Sequence, residues 1–188
     1  MVPCKFTESP ATVAKQLDVQ GAAVPPPAEL RILIVEDDEL NCLVMKTSLE
    51  VGFRIAAGTK AHITTTHTAE DALKVIGDTS DIEFDVVVAD QHMELAGGVL
   101  KGAELIERLV ARNFARRPVL VVVSADTDEL ERAAYLASGA DIVWPKPYPK
   151  KALLVKDILQ VWNGERRCKN RQPELAGRKA SSKVVPTR

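Results

Sequence analysis

Phe84-Asp85-Val86-Val87-Val88-Ala89-Asp90-Gln91-His92-Met93 is the stretch on which the reading of this chain turns. Its centre is a short run of apolar, mostly β-branched residues, the mark of a strand buried on both faces. The run stops on a carboxylate. A desolvated charge costs several kcal/mol unless it is paired or ligated, so packing alone gives no reason for Asp90. A strand-ending Asp that merely caps the next loop is the simpler alternative. The rest of the chain decides between them.

Upstream, Arg31-Ile32-Leu33-Ile34-Val35 is a second continuous apolar run, followed at once by three carboxylates, Glu36-Asp37-Asp38. Leu40, Leu43, Val44, Thr47 and Val51 then recur at helical spacing, which predicts a helix from about Asp38, its N-cap, ending before Gly52. His62–Thr66 reads as a strand and Ala69–Ile76 as a helix closed by Gly77. Beyond the opening stretch come a Gly-containing loop (Ala96-Gly97-Gly98) and a helix with Leu105, Ile106, Leu109 and Val110 on one face. A fourth strand runs from Pro118 to Val123 and ends at Ser124, with a helix from about Asp128 to Ser138. The fifth, Asp141–Trp144, leads through Pro145-Lys146-Pro147 to a helix from Pro149 to Trp162, whose apolar face is Leu154, Val155, Ile158, Leu159 and Trp162. Five strand–helix units with continuous apolar strands predict an α/β fold, a parallel sheet covered on both faces by helices. In such sheets function gathers at the carboxyl ends of the strands.

Composition narrows the class. Of 188 residues, 46% are hydrophobic and 27% charged, the balance of a soluble globular domain. No apolar run approaches the ~18 residues of a membrane span, and residues 1–30 lack the apolar core of a secretory signal. Cys4, Cys42 and Cys168 are too few and too scattered for a disulfide framework or a thiolate metal site, which points to a reducing, intracellular compartment. The net charge of −1 conceals an asymmetry. Residues 165–188 hold eight Lys or Arg against Glu165 and Glu174, residues 1–28 balance at zero, and 29–164 carry 15 basic against 22 acidic residues. The expected organisation is an arm over 1–28 ending in Val24-Pro25-Pro26-Pro27, a domain over 29–163, and a basic, disordered tail over 164–188. A weak helix around Ala11–Val19 is compatible with the arm.

The residues at the strand ends make a set. The first strand delivers Glu36 and Asp37, the third Asp90, the fourth Ser124 and the fifth Lys146. Three carboxylates in one pocket repel each other unless a hard cation intervenes, and Mg²⁺ is suited to a few carboxylates plus waters and phosphate oxygens. A lone Lys and a Ser hydroxyl suit phosphate oxygens. Together they describe a place where a carboxylate accepts a phosphoryl group.

The segments Ile34-Val35-Glu36-Asp37-Asp38, Val88-Ala89-Asp90, Val123-Ser124-Ala125 and Lys146-Pro147, with Asn41 and Gly139-Ala140-Asp141, closely resemble the receiver domain of two-component response regulators, over roughly residues 29–163. The resemblance implies a flavodoxin-like doubly wound (βα)₅ sheet in strand order 2-1-3-4-5. It also implies that Asp90 is the phosphoacceptor and that Asp37 ligates Mg²⁺ directly, with Glu36 acting through water and the backbone carbonyl of His92 completing the protein ligands. Lys146 would pair with the phosphoryl group, Ser124 would turn inward to bond it, and the Lys146-Pro147 bond is one that the family often holds cis. The donor would be a phosphohistidine on a histidine kinase or a phosphotransfer protein.

The chain departs from the family in two places. Met93 is followed by Glu94 where the family has Pro, and Ala96-Gly97-Gly98-Val99 lengthens the loop, which is expected to be looser. Val143 stands where the family carries its switch aromatic, with Trp144 adjacent and facing the other side of the strand, and Pro145 precedes Lys146. Two routes to an output follow: Ser124 with loop movement alone, or Trp144 at a partner surface. The three histidines, His62, His67 and His92, are not at metal-ligand spacing, and Cys42 reads as a packing residue.

The expectation is a stand-alone receiver that promotes only its own phosphorylation and dephosphorylation and signals by protein–protein contact. It would be cytoplasmic, or nuclear if the basic tail is a targeting signal. Nucleic acid enters only through that tail, which has no aromatic residue. Two other readings stay open: a degenerate receiver that binds partners without phosphate, and a Mg²⁺-dependent phosphatase with an Asp nucleophile. Such phosphatases carry Asp-x-Asp after the first strand, whereas here the nucleophile candidate follows the third.

Overall fold

The computed structural model describes residues 28–78, 84–112, 114 and 116–169. The arm over 1–27, with the helix expected around Ala11–Val19, lies outside the described residues, as do positions 170–188 of the basic tail. The elements alternate without exception: β1 (Glu29–Val35), α1 (Glu39–Ala57), β2 (Lys60–Thr66), α2 (Ala69–Asp78), β3 (Val86–Asp90), a short 3₁₀ helix (Glu94–Ala96), α3 (Gly102–Val110), β4 (Val119–Ser124), α4 (Glu129–Ala137), β5 (Ile142–Pro145) and α5 (Lys151–Lys169). The strands form one parallel sheet in the order β2-β1-β3-β4-β5. This is the flavodoxin-like arrangement that the five units predict. The direction in which successive strands are added to the sheet reverses between β1 and β3, so the loops after these two strands diverge and leave a crevice at their carboxyl ends.

Alternation along each strand feeds two cores. Ile32, Ile34, Val86, Val88, Val121, Val123 and Trp144 pack against α1 and α5. Leu33, Val35, Val87, Ala89, Val122 and Val143 pack on the other face against α2, α3 and α4. Every residue of β3 and β4 is buried. At roughly 1.5–3 kcal/mol for each fully buried large aliphatic side chain, these strands are a main source of the fold's stability.

Three local expectations are corrected by the packing. First, α1 does not end before Gly52 but continues to Ala57, and its buried stripe is Cys42, Met45, Leu49, Gly52 and Phe53. Leu40, Leu43 and Val44 are 68%, 59% and 44% exposed. Two apolar stripes with the same period run along this helix, and only contact with the sheet and α5 selects one. Gly52 sits inside the helix because α5 crosses there: a Cβ would stand 2.8 Å from Val155 Cγ2. The helix stops at Gly58, whose φ of 64° suits glycine. Second, Val110, expected on the apolar face of α3, is 46% exposed. Third, α5 starts at Lys151 rather than Pro149 and runs beyond Trp162 to Lys169, into the stretch read as tail. Asp38 does cap α1, accepting from Asn41 N at 2.7 Å, and Cys42 is buried as expected.

Candidate functional site

β1 and β3 are hydrogen-bonded neighbours, so Glu36-Asp37 and Asp90 emerge side by side at the same edge of the sheet. Ligand oxygens of Glu36, Asp37 and Asp90 lie within 4.8 Å of one another. At an effective dielectric near 20, two full charges at that distance repel by roughly 3 kcal/mol. The site relieves part of this with Lys146 from the β5–α5 loop. Its Nζ reaches Asp90 Oδ2 at 2.9 Å and Glu36 Oε2 at 3.0 Å, bridging the first and third strands. The Lys146-Pro147 bond that precedes α5 is cis.

The protonation chemistry follows from burial. Asp90 is only 5% exposed. Burial pushes its carboxyl up to about 6 against the pull of the Lys146 hydrogen bond, and the Glu36 charge adds to the rise. Burial alone would lower Lys146, but its bonds to Asp90 and Glu36 outweigh this and hold the ammonium above its ordinary range. The amine is therefore a fixed cation, and Asp90 is a carboxylate with unmet demand for positive charge.

Around this centre lies an open pocket of about 420 Å³ lined by Glu36, Asp37, Asp38, Asn41, Asp90, His92, Glu94, Leu95 and Lys146. The donor set is oxygen-rich and anionic and fits a hard divalent cation such as Mg²⁺. Of the residues singled out in the sequence, Glu36, Asp37, Asp90, His92 and Lys146 are brought together. Ser124 is not among the lining residues. Its hydroxyl is wholly buried and lies 3.3 Å from Tyr135 Oη, while accepting from Asp126 N at 3.1 Å.

Two contacts escape sequence reading. Tyr148 Oη donates to Glu36 Oε2 at 3.0 Å, and Asn41 Nδ2 donates to Oε1 at 3.2 Å. Burial, then the Glu36 charge, pushes the Tyr148 phenol well above its ordinary range, so it stays a donor. The only sequence hint for Tyr148 is its place just after Lys146-Pro147.

The loop after Asp90 is anchored rather than loose. Met93 is 1% exposed, and Leu95 N donates to Asp37 Oδ2 at 2.8 Å. Val99 N and Leu100 N both donate to Glu70 of α2, at 3.1 and 2.9 Å. The extra residues are thus tied to a metal-ligand candidate at one end and to a neighbouring helix at the other. Trp144 does not form a partner surface either. It is 1% exposed in the α1/α5 core, and its Nε1 donates to Asp157 Oδ2 at 3.1 Å.

The family model of the response regulator receiver domain matches residues 32–158. The chain belongs to this receiver family. A two-component response regulator from Oryza sativa subsp. japonica, ORR41, is 29% identical over 124 residues, covering 66% of this chain and 88% of that protein. Hybrid signal transduction histidine kinase A of Dictyostelium discoideum is 32% identical over 167 residues, 86% of this chain but 7% of that protein. The receiver therefore matches most of the first relative and a small part of the second. Among solved structures, the receiver domain of sensor histidine kinase PA1611 from Pseudomonas aeruginosa PAO1 superposes with a TM-score of 0.57 at 24% identity, covering 73% of this chain and 99% of that one. That structure has a magnesium ion coordinated in its active-site cleft. A receiver from Colwellia psychrerythraea 34H gives a TM-score of 0.58 at 22% identity over 71% of this chain and 98% of its own. At these identities both establish the fold. Among the described residues, no helix is long and apolar enough to cross a membrane.

Proposed function

We propose that this receiver accepts a phosphoryl group on Asp90 from a phosphohistidine carried by a histidine kinase or phosphotransfer protein, and passes the signal on by protein–protein contact. The observation that carries the proposal is the bridge of Lys146 to both Asp90 and Glu36 at the floor of an open, acidic pocket.

Asp37, Asp90 and the His92 carbonyl would hold Mg²⁺, with Glu36 engaged through water. The ion, when bound, neutralises phosphate charge and screens the carboxylates from each other. Asp90 attacks phosphorus in line: a bond forms from its carboxylate oxygen as the P–N bond of the donor breaks. The electron pair stays on the ring nitrogen, and the donor histidine leaves as neutral imidazole when its other nitrogen carries a proton. Lys146 already points at Asp90 and follows the charge onto the phosphoryl oxygens, so little reorganisation is needed. Its Glu36 contact is then given up, and Tyr148 and Asn41 remain to hold Glu36 in place. The chain on this reading turns over no external substrate beyond its own aspartyl phosphate. Its downstream partner is a protein.

The test is incubation of the full chain with acetyl phosphate and Mg²⁺, followed by intact-mass measurement. One added phosphate is expected on wild type and none on Asp90→Asn. A folded, Mg²⁺-binding wild type that gains no mass would end the phosphoacceptor reading. Steady release of phosphate from excess generic esters would favour a phosphatase instead.

A further inference from the structure

A receiver must convert a charge at Asp90 into a change at its surface, and the hydrogen bonds of Ser124 show where that conversion begins. Ser124 Oγ has one hydrogen to give. It accepts from Asp126 N at 3.1 Å and faces Tyr135 Oη at 3.3 Å, with Ser124 entirely buried and Tyr135 3% exposed. No solvent reaches this pair, so its hydrogen must serve a protein partner. Tyr135 belongs to α4 and packs in the core beside Val143 of β5. The phenol is held above its ordinary range by burial first, and the Glu131 carboxylate one turn earlier on α4 adds to this. Asp126 N already donates to the Ser124 oxygen, which leaves the phenol oxygen of Tyr135 as the partner that takes the hydrogen of Ser124. A second tie joins the same helix to the same strand: Arg132 Nη1 donates to Val143 O at 3.1 Å.

We propose that Tyr135 is the positioning residue of the switch: it holds the Ser124 hydroxyl away from Asp90 in the resting state, and loses that bond when a phosphoryl oxygen claims the Ser124 hydrogen. An anionic phosphoryl oxygen is a stronger acceptor than a phenol, so the hydrogen moves to it. Tyr135 is then a buried hydroxyl short of one partner, a state costly enough to shift its helix. The outward face of α4, with Leu130 82% and Leu136 43% exposed, moves with it. The arrangement needs no aromatic at position 143. The inference rests on Asp90 as the phosphoacceptor.

By linkage, a resting-state bond that must break weakens binding of whatever breaks it. Removing the phenol oxygen should therefore tighten the site for a phosphoryl mimic. The experiment titrates beryllium trifluoride with saturating Mg²⁺ by calorimetry into wild type, Tyr135→Phe, Ser124→Ala and the double variant, and follows amide exchange over α4. Tyr135→Phe is expected to bind the mimic about 3- to 10-fold tighter, the value of one net hydrogen bond. In the Ser124→Ala background the same change should have no effect on affinity. Exchange over residues 129–137 should respond to the mimic in wild type and not in Tyr135→Phe.

A merely structural tyrosine would lower the melting temperature and leave mimic affinity unchanged. Unchanged or weaker affinity in Tyr135→Phe, or an equal α4 response in both proteins, overturns the proposal. If wild type itself takes no mimic, the reading of Asp90 fails first and this inference falls with it.

Discussion

Replacing Asp90 with Asn should make this protein more stable, not less, when divalent cations are chelated. Asp90 is buried beside Glu36, and its carboxyl rises from 3.8 to about 6. A raised folded-state value means that the native protein holds the proton more tightly than the unfolded chain. The associated stability is fully present below the unfolded value and is lost as pH climbs through about 6. That interval corresponds to roughly 3 kcal/mol of native-state penalty at neutral pH. Asn keeps the shape, removes the repulsion, and retains an oxygen to which Lys146 donates. It forfeits the ion pair at 2.9 Å, although Lys146 keeps its contact to Glu36 at 3.0 Å. The net gain at pH 7.5 is expected to be about 1–2 kcal/mol, a rise in melting temperature of about 5 °C for a domain of this size. The assay is urea denaturation of both proteins in EDTA at pH 4.5, 6 and 7.5. The advantage of Asn should be small at the lowest pH and full at the highest. Millimolar Mg²⁺ should then close the gap by stabilising wild type. A destabilised variant at pH 7.5, or a gain independent of pH, would refute the account of Asp90 as a carboxylate held at an energetic cost for function.

Other outcomes follow from single contacts. Tyr148→Phe removes a half-buried donor from Glu36 and should cost about 1–2 kcal/mol of stability by denaturant titration, with weaker Mg²⁺ binding by calorimetry. Gly102→Ala drives a Cβ into the backbone carbonyl oxygen of Asp90, so β3 or α3 must shift. A loss of about 3 kcal/mol or failure to fold is expected, against near-neutrality if the backbone there yields freely. Glu70→Ala frees the amides of Val99 and Leu100, and amide exchange over residues 94–100 should accelerate while β3 stays protected.

Much of this molecule is legible in the order of its residues. The runs Ile32–Val35, Val86–Ala89 and Val119–Val123 are apolar throughout, which identifies central parallel strands, and the carboxylates, serine and lysine that end the strands need no contact map to be noticed. Parallel strands with right-handed crossovers place all their carboxyl ends on one edge, so Glu36, Asp37, Asp90 and Lys146 had to converge. What required tertiary structure were the choices between locally equivalent answers. Both stripes of α1 have helical period, and only the position of α5 decides that Met45 and Phe53 are buried while Leu40 and Leu43 are not. The inserted loop reads as glycine-rich and slack, and its order comes from Asp37 and Glu70, distant in sequence. Tyr135 and Tyr148 carry no motif at all. Their roles come from hydroxyls that meet Ser124 and Glu36 across the fold, because a hydrogen bond depends on distance and direction in space, which residue order does not encode.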